Sequence, residues 1–212
     1  MDLDYWHERW ANERTGWHKA VPNVLLTKYF PKLTQQQGAK VFVPLCGKTK
    51  DIGWLADNGC VVTGAELSEF AVKQLFDELS VQPKVTQDGE FKLYTSPNIR
   101  IFVGDFFALT TEQLGPVDVC FDRAALVALP PTMRIEYTKH LMTLTANAPQ
   151  LLISLTYDQT QAEGPPHSVP AEEIDSHYQA QYNVESLSAL PVEGGIKGVD
   201  GASEHVWLLT PK

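Results

Sequence analysis

Two residues, Gly47 and Glu66, carry the first chemical signal. Gly47 follows a short apolar run from Val41 to Leu45, and Glu66 closes a second run from Cys60 to Ala65. Their separation is about the 20 residues found between the glycine turn and the ribose-binding acid of a nucleotide-binding α/β unit. A glycine at a strand end lets backbone approach a ligand, because no Cβ intervenes. The helix that follows offers free N–H groups. An acid at the end of the next strand can accept both hydroxyls of a ribose.

Two further strand ends carry polar groups. Asp105 follows a third buried strand expected from Ile99 to Val103, with Phe106 beside it. Such an acid can bind the exocyclic amine of adenine while the phenyl ring packs on the base; equally, it can cap the loop that follows. Asp122-Arg123 closes the run from Val117 to Phe121. In open α/β sheets, ligands bind beyond the C-terminal ends of the strands. Four polar signals at successive ends therefore weigh more than any one.

The elements that must hold these residues are legible in order. Residues 2–13 read as a helix with Leu3, Trp6 and Trp10 on one face. These tryptophans either anchor an N-terminal extension or form an aromatic lid. A second apolar face, Val24 to Phe30, ends at Pro31. Ile52, Leu55 and Ala56 have helical spacing, and Gly59 stops that helix. Ser68 caps a helix carrying Phe70, Ala71, Leu75, Phe76 and Leu79. Residues 80–98 read as an excursion with a hairpin turn at Asp88-Gly89. Thr132 caps a helix over 133–147, with Ile135, Leu141, Met142 and Leu144 as its buried positions. Strands follow at 151–157, 184–190 and 205–210, the last two an antiparallel pair. The polar stretch 158–169 is long enough for a lid or binding loop.

The formal charge of −9 over 212 residues, with no long basic run, opposes nucleic acid as a partner. No apolar stretch reaches membrane-spanning length, and the acidic, aromatic start is no signal or transit peptide. Cys46, Cys60 and Cys120 lack metal or disulfide spacing, so reduced core thiols in a cytoplasmic protein are expected. The six histidines lack metal-ligand spacing too, so no metal is expected; His18 and His167 are the two placed near a ligand. There is no nucleophile elbow, Walker lysine or zinc-protease motif.

The turn Pro44-Leu45-Cys46-Gly47-Lys48 lacks the G-x-G-x-x-G that a dinucleotide pyrophosphate needs. A dinucleotide oxidoreductase is thereby disfavoured. S-adenosylmethionine, which has a ribose but no phosphate, suits this turn better.

On these stretches the chain resembles the thiopurine S-methyltransferase family, bacterial branch. The likeness lies in WHERWANERTGWH (6–18), VFVPLCGKTKDIGWLADNGCVVTGAELSE (41–69), FDRAALVALPP (121–131), GPPHSVP (164–170) and WLLTP (207–211). The resemblance implies a Rossmann-like class I α/β methyltransferase. Its sheet would have seven mostly parallel strands, helices on both faces, an antiparallel C-terminal strand and an N-terminal helical cover. A single domain would span 1–212, with 1–35 as the cover.

The resemblance also implies S-adenosylmethionine as cofactor and S-adenosylhomocysteine as product. Trp6 and Trp10 would lie at the methionine end, Leu45 and Gly47 along the first loop, Glu66 on the ribose, and Asp105 and Phe106 by the adenine. Arg123 would sit at the cofactor and substrate edge, and Trp17 and His18 by the substrate. The acceptor would be a thiopurine or other aromatic thiol, methylated without a general base because such thiols ionise readily. Selenium or tellurium species in metalloid detoxification, and a non-catalytic cofactor-binding module, are the alternatives. A small-molecule thiol partner, a cytoplasmic setting and a monomer complete the expectation. In one respect the chain departs from the family pattern. Relatives often carry an arginine in the loop before the last strand; here the stretch is Val192-Glu193-Gly194-Gly195, and Lys197 is the nearest base.

Overall fold

A computed structural model describes residues 8–10, 12, 16 and 18–212. The chain divides into two compact units at Val119/Cys120.

In the first unit, residues 8–10 are helical. Helix α1 (Val24–Leu33) is capped by Asn23, whose side chain accepts from the Leu25 and Leu26 amides. Pro31 does not end this helix, as its position had suggested. It lies inside the last turn, and the helix closes only at Leu33, with the Thr34 amide on the Phe30 carbonyl. Asp51 Oδ1 receives the Asn23 amide at 2.7 Å, which ties the start of α1 to helix α2 (Lys50–Asp57). Ile52 and Leu55 of α2 are fully buried, each worth roughly 1.5–3 kcal/mol of burial.

Strand β1 (Lys40–Val43) pairs in parallel with β2 (Val61–Glu66), and β2 with β5 (Ile99–Val103). Near-continuous apolar runs are what such parallel strands require. The register decides the site. Val43 ends β1 opposite Gly64, whereas β2 continues through Ala65 and Glu66, the latter opposite Val103. Helix α3 (Glu69–Glu78) starts at Ser68, whose hydroxyl accepts from the Ala71 amide, as expected; Phe70, however, is exposed, and Val72 is buried with Ala71, Leu75 and Phe76. The expected excursion is the hairpin β3 (Lys84–Asp88) and β4 (Phe91–Thr95), joined antiparallel to β5. Gly89 takes φ +60° in its turn. The strand order within this unit is β3-β4-β5-β2-β1. A short helix α4 (Thr111–Leu114), opened by a Thr110–Gln113 capping box, comes last among the helices of this unit.

The second unit opens within β6 (Val119–Arg123), which ends in Asp122-Arg123 as expected. β6 pairs in parallel with β7 (Gln150–Thr156); β7 pairs antiparallel with β9 (Ser203–Pro211), and β9 with β8 (Tyr182–Pro191). The order here is β6-β7-β9-β8. These four strands and β1, β2 and β5 make the seven that the fold class implies; β3 and β4 are additional. The expected terminal antiparallel pair is β8 and β9, broken by a bulge between Ser186 and Ser188.

Helix α5 (Pro131–Leu144) begins with proline at its first position, not with a Thr132 cap. Its buried face differs from the expected one as well. Ile135 is 61% exposed, while Arg134, Tyr137 and Thr138 are buried with Leu141 and Leu144. Arg134 forks onto Glu173 of helix α6 (Ala171–Tyr178) at 2.7 and 3.0 Å. This pairing makes a helix face with a cation on it a buried face. The three cysteines are free and buried, as expected.

Candidate functional site

In the first unit the site is built by the two-residue overhang of β2. The Cys46 amide donates to the Ala65 carbonyl at 3.0 Å, which folds the loop after β1 back over the end of β2. The loop turns through two residues with positive φ, Leu45 at +45° and Gly47 at +55°. Glu66 then faces the turn. One oxygen of its carboxylate accepts the Gly47 amide and the other the Ser68 amide, both at 2.8 Å. The side chain is 6% exposed. Burial raises its pKa above the ordinary glutamate value, and the amides of Ser68, Gly47 and Leu67 partly offset this.

A carboxylate has about four acceptor positions, so the Gly47 and Ser68 amides, the two at 2.8 Å, leave room for further donors. The backbone holds the group in one orientation. That is an acceptor prepared for a diol.

Trp10 lies against this turn. It is buried, and a Cβ added to Gly47 would stand 2.9 Å from its Cζ2. Gly47 is thus required twice, by its φ and by the indole. The carbonyl of Glu66 accepts the Gly104 amide at 3.0 Å, which carries the same edge on to Asp105. There the capping alternative holds: Asp105 Oδ1 accepts the Phe107 amide at 3.1 Å and starts the turn Phe106–Ala108. Asp105 remains exposed, while Phe106 is buried and meets Phe107 edge to face. His18 stands 3.8 Å from Glu78, which also holds Lys48 and Lys50 at 2.9 and 2.7 Å. Trp6 and Trp17 lie outside the described residues.

In the second unit Arg123 ends β6, half-buried. Its neighbour Asp122 is engaged elsewhere. Adjacent strand residues point to opposite faces, and the Asp122 carboxylate accepts from Tyr137 Oη at 2.7 Å and from the Leu126 amide at 3.3 Å. Sequence reasoning missed Tyr137; an acid fifteen residues upstream gives no periodic signal.

The loop after β7 is tied to itself. Tyr157 Oη donates to the Pro166 carbonyl, Gln159 bridges Tyr157 Oη and the Ser168 amide, and the Tyr157 amide donates to Ser168 Oγ. His167 is half-buried over Gly164, and burial, then Arg134 and Lys197, lower its pKa. Lys197, the base in the stretch where an arginine was expected, donates to the Glu163 carbonyl. Among the described residues no cluster of His, Cys, Asp or Glu could hold a metal.

The family model described as thiopurine S-methyltransferase (TPMT) matches residues 1–212. The chain belongs to the thiopurine S-methyltransferase family. A thiopurine S-methyltransferase of Xanthobacter autotrophicus is 52% identical, covering 99% of each chain. One of Teredinibacter turnerae is 45% identical, covering 99% of this chain and 98% of the relative.

Among solved structures, a SAM-dependent methyltransferase from Anabaena variabilis superposes with TM-score 0.66 at 14% identity, covering 99% and 95% of the two chains. A TehB-like SAM-dependent methyltransferase from Corynebacterium glutamicum does so with TM-score 0.59, again at 14% identity, covering 99% and 98%. At such identities the likeness speaks for the fold, which is the class I methyltransferase fold. Membership of this family makes the chain an S-adenosylmethionine-dependent methyltransferase.

Proposed function

We propose that this enzyme transfers the methyl group of S-adenosylmethionine to the sulfur of a thiopurine or another aromatic or heterocyclic thiol, leaving S-adenosylhomocysteine. The observation that carries the cofactor assignment is the Glu66 carboxylate, held by the Gly47 and Ser68 amides with acceptor capacity to spare. When bound, S-adenosylmethionine supplies an electrophilic methyl group on a sulfonium.

The chain's own part is binding and alignment. Glu66 accepts the ribose hydroxyls. Leu45 and Gly47 follow the nucleoside along the turn, and Trp10, with Trp6, covers the methionine end and keeps water out. Asp105 takes the adenine amine, with Phe106 beneath the base. Arg123 and, on the substrate side, Trp17 and His18 orient the acceptor. Holding nucleophile and methyl group in line is worth several orders of magnitude in rate without any acid or base. The thiol proton is lost to solvent before transfer, because aromatic thiols are substantially ionised near neutrality. The methyl group would pass to the acceptor sulfur, the new C–S bond forming as the sulfonium's C–S bond breaks.

The same reading makes the protein a single-domain, monomeric, cytoplasmic enzyme of detoxification, with a small thiol rather than nucleic acid as partner. The net charge of −9 and the three free cysteines support it. No helix among the described residues is long and apolar enough to cross a membrane.

The test is methyl transfer from labelled S-adenosylmethionine to a panel of a thiopurine, thiophenols, a catechol and selenite. S-methyl product without O-methyl product is expected. Tight cofactor binding with no product from any of them would replace the reading with a non-catalytic binding module.

A further inference from the structure

The backbone that follows Arg123 is held from three sides. The Leu126 amide donates to Asp122 Oδ1 at 3.3 Å, the His167 amide donates to the Val127 carbonyl at 2.6 Å, and Arg134 Nη1 donates to the Leu129 carbonyl at 3.1 Å. The turn needs holding. It passes through Ala124 at φ +63°, a conformation that disfavours any residue with a Cβ. The restraint nearest Arg123 is Asp122. Its carboxylate is wholly buried, and a buried charge is tolerated only when it is well bonded. Tyr137 Oη supplies the shortest of its bonds, at 2.7 Å, and is itself fully buried. Alternation along β6 sends Asp122 toward this interior and Arg123 the other way.

We propose that Asp122 and Tyr137 are the positioning pair for Arg123: Tyr137 holds the buried carboxylate, the carboxylate holds the turn, and the turn sets where the guanidinium meets the reactants. The inference rests on the reading of Arg123 as the residue at the cofactor and substrate edge. Neither Asp122 nor Tyr137 touches a ligand; both act through their neighbour.

The pair also titrates. The groups that face Asp122 are Tyr137 from α5, Tyr178 from α6 and Cys120 from its own strand, each kept neutral by burial. Burial lifts Asp122 to about 6, against the bonds from Tyr137, Leu126 and Ala125 that favour its charged form. Below that pH the carboxyl is protonated and its grip on the Leu126 amide weakens.

The experiment is a double-mutant cycle on kcat/KM for the thiol, at saturating S-adenosylmethionine, with an electron-poor thiophenol that is ionised throughout the range. Tyr137→Phe alone should lower kcat/KM about tenfold, the scale of one lost bond to a charged acceptor. It should also move the acid limb to higher pH. In the Arg123→Ala background the same change should cost less than about twofold, because the residue it acts through is gone.

Equal losses in both backgrounds would mean a merely structural role and overturn the proposal, as would no loss in either. If Arg123→Ala alone is silent, the reading of Arg123 fails first, and that single variant reveals it. Should Tyr137→Phe not fold, the pH profiles of the wild type and Arg123→Ala still decide. An acid limb near pH 6 must be present in the former and absent from the latter, and its persistence in Arg123→Ala would sink the idea.

Discussion

Replacing Glu66 by glutamine tests the site at the atom on which it depends. The carboxylate receives the Gly47 and Ser68 amides at 2.8 Å each, one per oxygen. Glutamine keeps the shape but offers a single accepting oxygen and two N–H donors. Whichever way it is turned, one backbone amide faces an NH2 group and loses its acceptor, at a cost of ~1–3 kcal/mol. One ribose hydroxyl loses its acceptor too, and the other loses a charged one. Bonds to charged groups are worth ~1.5–3 kcal/mol each, so binding should weaken by about 3 kcal/mol, or two orders of magnitude in Kd. Stability should move much less, because the variant also removes a desolvated charge.

Calorimetric titration with S-adenosylhomocysteine avoids turnover, and thermal unfolding without ligand checks the fold. A folded Glu66→Gln protein that binds within twofold of wild type would refute the ribose assignment. The pH dependence has a definite sign. The ionised form is the better acceptor, and burial raises the pKa of Glu66. Wild-type affinity should therefore begin to fall, on acidification, above the ordinary glutamate range, whereas Glu66→Gln should stay flat.

Gly47→Ala should cost roughly 1–2 kcal/mol in backbone strain from φ +55° alone. It should also displace Trp10, whose Cζ2 would lie 2.9 Å from the new Cβ; tryptophan fluorescence and cofactor affinity should change together. Asp122, raised from the ordinary 3.8 to about 6, makes the native state bind more protons than the unfolded chain between those values. Unfolding free energy should thus fall as pH rises through that window, by about 3 kcal/mol, and urea melts of Asp122→Asn should lack this slope. Arg134→Ala breaks a fork onto Glu173 and a bond to the Leu129 carbonyl at a site 2% exposed. A loss of about 3 kcal/mol is expected in urea unfolding.

Local patterns were legible where one face or one turn determines them. Val41–Leu45 and Cys60–Ala65 are apolar because parallel strands are buried, and β5 lies residue for residue on the expected third strand, Ile99–Val103, which is apolar but for Arg100. Ser68 caps α3 as its type suggests. What failed was decided by partners distant in sequence. Ile135 looks like core and is 61% exposed. Arg134 looks like surface and is buried, because Glu173 of another helix neutralises it. Pro31 looks like a helix stop, yet at the last turn a missing amide donor costs only one bond.

The three acids at strand ends illustrate the same limit within the site. Glu66, Asp105 and Asp122 read alike in sequence, each as an acid at the end of a strand. Each in fact bonds first to an amide just downstream, at Ser68, Phe107 and Leu126. What separates them is the rest of the carboxylate's surroundings. Glu66 is buried with a second amide from a loop nineteen residues upstream, and so is oriented toward the turn. Asp105 is exposed and free to take a donor from a ligand. Asp122 has no exposure at all and gives its second oxygen to Tyr137. It therefore cannot meet a ligand directly, and its influence must pass through the turn that carries Arg123. Strand-end acids are found by pattern; which of them faces a ligand is set by burial and by the second bond.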